Sequence, residues 1–226
     1  MTRKRIILIL KAFLTFGLFY FSSIFAYLGA FIFRIDLTTM SATESIFLST
    51  FADIILAIIL FLLYFKELKQ EFKIYKDKFA YNFDVGLKYW FLGLLIMVCS
   101  NVLIAILTPL NNSTNETAVQ AMIQVSPWLM LLTAGIIAPF VEEITFRKAF
   151  RNLFKNKWVF AISSGLVFGL LHVISSFSSP FEFLYIIPYG ILGFYFALSY
   201  DKTNTVFTSV VMHMIHNTVL ILLSIL

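Results

Sequence analysis

The sequence predicts an all-α membrane protein, a transmembrane helix bundle of about seven spans (seven to eight) whose amino terminus lies in the cytoplasm. Of its 226 residues, 60% are hydrophobic and 13% are charged, whereas a soluble domain is about half apolar and about a quarter charged. Its apolar stretches approach the roughly 20 residues that a bilayer requires, and its lysines and arginines concentrate in alternate loops. We therefore expect a multi-pass protein of the cell membrane, with the lipid bilayer rather than nucleic acid as the partner of its basic residues.

Apolar length predicts each span in order. The first, 6–33, follows the basic residues Arg3, Lys4 and Arg5. It is too long for the apolar region of a signal peptide, about 7–15 residues, so we interpret it as a retained helix that can tilt or bend. A short turn around Ser178-Ser179-Pro180 separates the fifth span from the sixth. The six spans after the first are predicted at 46–65, 89–109, 127–146, 158–177, 181–200 and 205–226.

The basic residues orient these spans. Fifteen of the 17 lysines and arginines fall on the cytoplasmic side of a seven-span arrangement, whereas Arg34 falls on the opposite side and Lys11 within the first span. The segment from Lys66 to Lys88 mixes lysine with aromatic residues. We interpret it as an amphipathic stretch on the inner surface, attracted to anionic lipid, with a solvated basic loop as the alternative. The polar loop 111–117 has no basic residue and is placed outside.

Ionisable groups occur within three apolar stretches of the second half of the chain, namely 141–147, 168–172 and 213–217. Every histidine of the protein lies in the second or the third stretch. Ionisable side chains inside membrane helices are costly, pair with one another and mark functional sites. This concentration favours an enzyme or a transport path over an inert anchor.

The first stretch contains two adjacent carboxylates, Glu142 and Glu143. Neighbouring residues of a helix point about 100° apart, so we expect the two to have different tasks. Glu143 and Arg147 are one helical turn apart, and this spacing predicts an ion pair that keeps Glu143 ionised. Glu142 then has no cation on its own face, which suits a general base or acid. The alternative interpretation is that both carboxylates merely lie at the inner end of their span, beside the basic loop.

The histidines allow two interpretations each. His172 on an apolar helix is either a structural hydrogen-bonding group or a catalyst. His213 and Asn217 are four residues apart and share a helix face, where they would either stabilise an oxyanion or tie their span to its neighbours. His216 follows three residues after His213 and competes with it for the same groove.

Taken together, the three patterns resemble the motifs of the CPBP family of intramembrane proteases. That family includes the CAAX prenyl endopeptidases and the bacterial Abi-type proteins linked to bacteriocin processing and self-immunity. The resemblance covers roughly Trp128 to Leu226, so we divide the chain into N-terminal membrane helices with a basic cytoplasmic loop (1–126) and a CPBP-type catalytic helix core (127–226). The patterns are, in chain order, Glu142-Glu143-x-x-x-Arg147, Phe168-x-x-x-His172 and His213-x-x-x-Asn217.

The resemblance implies a glutamic-type intramembrane endopeptidase, in which Glu142 and His172 activate a water that hydrolyses a peptide bond without a covalent intermediate. One departure is Lys148, which stands where many members have glycine. The residues implied to form the oxyanion hole or to support the site are His213, Asn217, Glu143 and Arg147.

No cofactor is expected. Zinc held by two histidines and a glutamate is the alternative, although the chain lacks the His-Glu-x-x-His pattern. A serine nucleophile is disfavoured because no Gly-x-Ser-x-Gly sequence is present, and an aspartyl dyad is disfavoured because Asp53 has no second aspartate as its partner. The single cysteine, Cys99, excludes an intrachain disulfide.

The expected substrate is a membrane-associated peptide or protein. In a bacterium, a leader peptide, a pheromone precursor or a bacteriocin-like peptide is favoured over a prenylated tail. The alternative from another class is a non-catalytic membrane immunity factor or regulatory partner that binds a peptide or a sensor protein.

One geometric difficulty accompanies the enzyme hypothesis. If the fifth span starts at Trp158, His172 lies about 21 Å from its inner end, whereas Glu142 lies nearer that end. The two meet only if the fifth span starts shallow or tilts, or if an interfacial helix within 147–157 shifts the register.

Overall fold

The computed structural model describes residues 2–174 and 178–226, and every regular element within them is helical. The all-α prediction is therefore confirmed. Two π-helical turns (Thr133–Ile137 and Ile144–Ala149) and a 3-10 helix (Pro180–Tyr185) lie between α-helices. The α-helices are α1 (Arg3–Tyr20), α2 (Ser23–Phe33), α3 (Ala42–Leu63), α4 (Phe65–Asp77), α5 (Phe79–Leu107), α6 (Thr114–Val125), α7 (Pro127–Leu132), α8 (Ala138–Glu143), α9 (Lys157–Ile174), α10 (Ile186–Thr203) and α11 (Val206–Ile225).

The protein is a multi-pass membrane protein. Six segments of the described residues could each cross a bilayer. The helix pair Arg5–Tyr20 and Ser23–Phe33, which is bent by 50°, makes a seventh span if the pair counts as one crossing. The bend lies in the predicted first span, which is long enough to contain it. The cytoplasmic amino terminus stays a prediction. The six other segments of the described residues that are long and apolar enough to cross a bilayer are Ala42–Leu63, Phe79–Leu107, Pro127–Ala149, Lys157–Ile174, Pro180–Thr203 and Val206–Ile225.

Most differences from the predicted boundaries have a local cause. Helix α3 begins at Ala42 rather than at residue 46 because Ser41 and Glu44 form a capping box at its start. Helix α9 is described as far as Ile174, and the last predicted residues of the fifth span, 175–177, lie outside the described residues. No separate interfacial helix occurs within the described residues 147–157. The chain there completes the π turn Ile144–Ala149 and then forms a short turn before α9.

The predicted loop between the second and third spans is largely helical. In α4 the side chains of Leu68, Glu71 and Tyr75 are buried while the lysines between them are exposed, so the predicted amphipathic character is present. Helix α5 begins at Phe79, ten residues before the predicted start. The Asn82 side chain donates to two carbonyls at the end of α4, at 3.1 and 3.3 Å, and this satisfies acceptors that a helix end leaves open.

Helix α6 occupies a region that the sequence predicts as polar loop followed by non-membrane chain. Its first turn is stabilised by two side-chain oxygens. Ser113 Oγ accepts from the N–H of Glu116 at 3.1 Å, and the carboxylate of Glu182 accepts from the N–H of Thr114 at 3.1 Å. Ser113 and Glu116 have the Ser-x-x-Glu spacing of a helix start, which is a local signal that the loop prediction missed. The Glu182 contact is distant in sequence and left no local signal.

Two compact units make up the chain, and each contains residues from both sides of the predicted division at 126/127. The first consists of Met1–Gln70, Gln120–Asn152 and His213–Leu226, and the second of Glu71–Val119 and Leu153–Met212. The assignment of 127–226 as the motif-bearing core is a functional division and stays a prediction.

In the first unit, Lys11 is the one basic residue predicted within a span, and it has a partner. Its Nζ donates to Glu67 Oε1 at 2.6 Å and lies 4.0 Å from the centre of the Tyr64 ring. Partial burial acts to raise the pKa of the Glu67 carboxyl, but the hydrogen bond and the charge of Lys11 lower it below its ordinary value. The ion pair therefore offsets the cost of placing a lysine among apolar residues.

In the second unit, glycines bring α9 and α10 into backbone contact. A Cβ at Gly165 would lie 2.4 Å from the carbonyl oxygen of Gly190, and one at Gly169 would lie 2.6 Å from that of Ile186. Small residues at this spacing let membrane helices approach closely. The packing fixes α9 at Gly169, three residues before His172.

Candidate active site

The span Pro127–Ala149 changes its helical register twice around the two glutamates. π-Helical turns at Thr133–Ile137 and Ile144–Ala149 lie on either side of α8, which ends at Glu143. Single π turns inside α-helices are frequent at functional sites. Because each turn alters the rotation of the helix, the two together set the directions of the glutamate side chains.

Pro139 accounts for the first π turn and for a contact of Asn217. The N–H of Ala138 donates to the carbonyl of Thr133, and Pro139 has no N–H to donate. The carbonyl of Ala134 therefore lacks its usual backbone donors. The side chain of Asn217 in α11 supplies one instead, with Nδ2 at 2.8 Å from that oxygen. One of the two amide hydrogens of Asn217 is thus used within the protein.

Glu143 is a fully buried carboxylate with a partner at each oxygen. Its Oε2 lies 3.1 Å from Nε of Arg147, and neither side chain has any exposed surface. Its Oε1 accepts from Nδ1 of His213 at 3.0 Å. The ion pair predicted from the four-residue spacing is therefore present, and it offsets the large cost of burying either charge alone.

Glu142 differs from its neighbour in exposure and in contacts. Its side chain is 18% exposed, against 0% for Glu143. Its Oε2 lies 3.6 Å from Nε2 of His213, which is too long for a direct hydrogen bond. Of the two glutamates, only Glu142 has exposed side-chain surface.

His213 lies between the two carboxylates, and its contacts define its hydrogen positions. Because a carboxylate only accepts, Nδ1 donates to Glu143, and the neutral ring then has its lone pair on Nε2, the nitrogen that faces Glu142. Only the imidazolium form is able to donate from Nε2 to an oxyanion.

Two further titratable residues lie close to this group. His216 is buried and is near enough to His213 for their charges to interact. Asp53, in α3, is partly buried and is near enough to Glu142 for their charges to interact. Sequence patterns assigned no role to Asp53, and its place inside an apolar span was the only signal for it.

His172 belongs to the second unit and is held by its neighbours there. Its Nδ1 lies 2.9 Å from the carbonyl oxygen of Phe168, and since a carbonyl only accepts, Nδ1 donates. In the neutral ring the lone pair is therefore on Nε2. The ring also contacts Phe168, at 4.4 Å between ring centres, and stacks on Tyr189 at 4.8 Å and 27°.

The structure brings most of the predicted site residues together in one unit. His172 lies in the second unit, and its pairing with Glu142 stays a prediction. No group of three or more His, Cys, Asp or Glu side chains within residues 2–174 and 178–226 is placed to hold a metal ion. The predicted residues that share the first unit are Glu142, Glu143, Arg147, His213 and Asn217.

Replacing Asn217 by Leu is expected to lower the free energy of unfolding by about 1–3 kcal/mol, because it leaves the Ala134 carbonyl without a donor. The neighbouring Thr218→Val is a matched control, since Thr218 Oγ1 makes only a 3.5 Å contact with the Gly135 carbonyl. Denaturant unfolding in detergent, followed by circular dichroism, measures both. Equal stability of the two variants would contradict a specific role of Asn217 at the π turn.

Known proteins are similar to the part of the chain that carries the motifs. A family model described as "Type II CAAX prenyl endopeptidase Rce1-like" matches residues 124–219, which contain all three motif-bearing stretches. No solved structure matches the chain.

Three relatives match parts of the chain. "Putative membrane peptidase YdiL" of Bacillus subtilis is 31% identical over 114 residues, which are 49% of this chain and 43% of that protein. "UPF0177 protein YxdF" of Lactococcus lactis is 28% identical over 138 residues, 58% of this chain and 74% of that protein. An "Uncharacterized protein" of Mycoplasma capricolum is 38% identical over 78 residues, which are 34% of this chain and 22% of that protein. The chain thus spans less than half the length of the Bacillus relative.

Proposed function

We propose that the chain is an intramembrane endopeptidase of the CPBP family that hydrolyses a membrane-associated peptide or protein, and the family-model match over residues 124–219 supports this proposal. The likeness to a Bacillus protein named as a membrane peptidase supports this proposal. The single observation that carries the mechanism is the difference between the two glutamates. Glu143 has both oxygens engaged, whereas Glu142 is partly exposed and faces His213.

In the proposed reaction, Glu142 takes a proton from a water whose oxygen attacks the carbonyl carbon of the substrate. His172 orients this water through Nε2, the nitrogen left with the lone pair by the Phe168 contact. His213, as imidazolium, and the second amide hydrogen of Asn217 stabilise the oxyanion. Collapse of the tetrahedral intermediate breaks the C–N bond, and the proton held by Glu142 passes to the leaving amine.

Glu143 and Arg147 act on the reaction through His213. Their ion pair places a fixed negative oxygen at Nδ1 of His213, which holds the ring in position. Neither residue touches the substrate. They are positioning residues.

Mass spectrometry of membrane and secreted peptides tests the function. Cells that express the wild type are compared with cells that express Glu142→Gln or His172→Ala, after each variant is shown to insert to the same level. We expect one set of new peptide termini in the wild type that is missing from both variants. If the wild type produces no new termini and the associated phenotype persists in both variants, the protein binds its peptide without cutting it. Termini that persist in both variants would remove Glu142 and His172 from the reaction.

A chelator arm of the same experiment tests the metal-free mechanism. We expect peptide cleavage by the purified protein in lipid vesicles to be unchanged by a chelator. Loss of cleavage on chelation and its return with zinc would overturn the mechanism while leaving the endopeptidase function in place.

A further inference from the structure

Tyr189 is the fourth residue of α10, and its ring lies against the imidazole of His172. The ring centres are 4.8 Å apart and the planes are inclined by 27°, which is a stacked arrangement. No sequence motif includes Tyr189. Its contact with His172 arises from the close approach of α9 and α10 at Gly169.

The hydroxyl of Tyr189 is tied to the start of α6 by two hydrogen bonds. It lies 2.8 Å from Ser113 Oγ, and Nδ2 of Asn115 donates to it at 3.3 Å. Ser113 also accepts from the N–H of Glu116 and so caps the helix. The Tyr189 side chain is therefore held in two places. Its ring stacks on His172, and its hydroxyl is bonded to the capped start of α6.

The segment that holds Tyr189 is itself anchored by a buried carboxylate. Glu182 is 1% exposed and accepts from the backbone N–H of Thr114 at 3.1 Å and from its hydroxyl at 2.7 Å. Ser178 donates to the same carboxylate at 3.3 Å. A satisfied buried polar network of this kind rigidifies its surroundings. Residues 113–115 therefore provide a fixed support for the Tyr189 hydroxyl.

We propose that Tyr189 is a positioning residue for His172, and that the Ser113–Asn115 segment holds it in place through the tyrosine hydroxyl. The proposal rests on the proposed function only where it assigns His172 to the reaction. Two contacts set the imidazole: the Phe168 carbonyl fixes its hydrogen on Nδ1, and the Tyr189 ring restricts its rotation. A group that orients the attacking water must be held within hydrogen-bond reach of that water, and small misplacements cost up to about 10²-fold in rate.

The chain offers a matched control in Tyr185. It is buried in the same apolar cluster, which contains Ile104 and Val173 and contacts Tyr189. Its hydroxyl has no hydrogen-bond partner among the described residues. Tyr185→Phe therefore removes a hydroxyl from the same cluster without removing a tether, whereas Tyr189→Phe removes the tether and keeps the ring.

Nitrogen-15 NMR of the histidine side chains tests the proposal directly, because the protein has only three histidines. The protein is labelled with ring-15N histidine and placed in lipid nanodiscs, and His172→Ala identifies the His172 signals. In the wild type we expect the Nδ1–H tautomer at His172. We expect Tyr189→Leu to shift these signals, Tyr189→Phe to broaden them, and Tyr185→Phe to leave them unchanged.

Kinetics supply the second readout. We expect kcat to fall about 10- to 100-fold in Tyr189→Leu and less in Tyr189→Phe, with KM unchanged. His172 signals in Tyr189→Leu that match the wild type would overturn the proposal, as would equal signal changes in Tyr189→Phe and Tyr185→Phe. If His172→Ala cuts peptide as fast as the wild type, the catalytic role of His172 fails, and the NMR signals still decide whether Tyr189 holds the ring.

Discussion

Glu142→Gln lowers kcat for peptide cleavage by about 10²- to 10⁴-fold, the contribution expected of a positioned general base. The amide keeps the size of the side chain but cannot take a proton from water. KM is expected to change little, because the substrate is not bound through this group. Single-turnover cleavage of a synthetic peptide by purified protein in lipid vesicles measures the effect.

Asp84→Asn is the matched acid-to-amide control for this experiment. Asp84 is exposed and pairs with Lys88 at the surface of α5, where an ion pair contributes about 0–1 kcal/mol. We expect wild-type kcat and wild-type stability for this variant. A Glu142→Gln protein that folds and retains wild-type kcat would remove Glu142 from the mechanism.

Arg147→Met lowers the free energy of unfolding by about 3–5 kcal/mol, because it leaves the Glu143 carboxylate fully buried without its guanidinium partner. Few single replacements are this costly in a folded protein. The double variant Glu143→Gln with Arg147→Met removes both charges and keeps the volumes similar. We expect it to recover much of the lost stability, since replacing both members of a buried pair is often close to neutral.

Unfolding in mixed micelles, followed by circular dichroism at increasing denaturing detergent, measures these differences. Lys88→Met is the control for loss of a cation, because both partners of its ion pair are largely exposed. We expect it to change stability by less than about 1 kcal/mol. If Arg147→Met is as stable as this control, the buried ion pair does not hold the span together.

The boundaries of the spans show which parts of the fold are predictable from sequence. The start and end of α11 differ by one residue from the prediction at 205–226, since apolar length alone defines that span. Helix α5 begins ten residues before the prediction, and its residue Asn82 caps carbonyls at the end of α4. Helix α6 was missed although Ser113 caps it locally, and its other cap comes from Glu182, 68 residues away. Caps made by distant side chains leave no local pattern.

The contacts of the candidate site also include some that were predictable from the sequence and some that were not. The Glu143–Arg147 pair was predictable because residues four apart share a helix face, and this contact is present. The contact of Asn217 with the Ala134 carbonyl was not predictable, since it depends on a π turn that Pro139 causes in another helix. The same holds for Asp53, whose nearness to Glu142 reflects the packing of α3.

The sequence by itself determined the class of the protein, the approximate spans and the identity of the ionisable residues worth attention, because apolar length and helical spacing are local properties of a chain. Only the tertiary structure decided which glutamate is fully buried and which is partly exposed. It did so by placing His213, 70 residues further along the chain, between them. It also placed Tyr189 against His172, which no spacing could reveal, since the contact depends on how closely two glycine-containing helices approach.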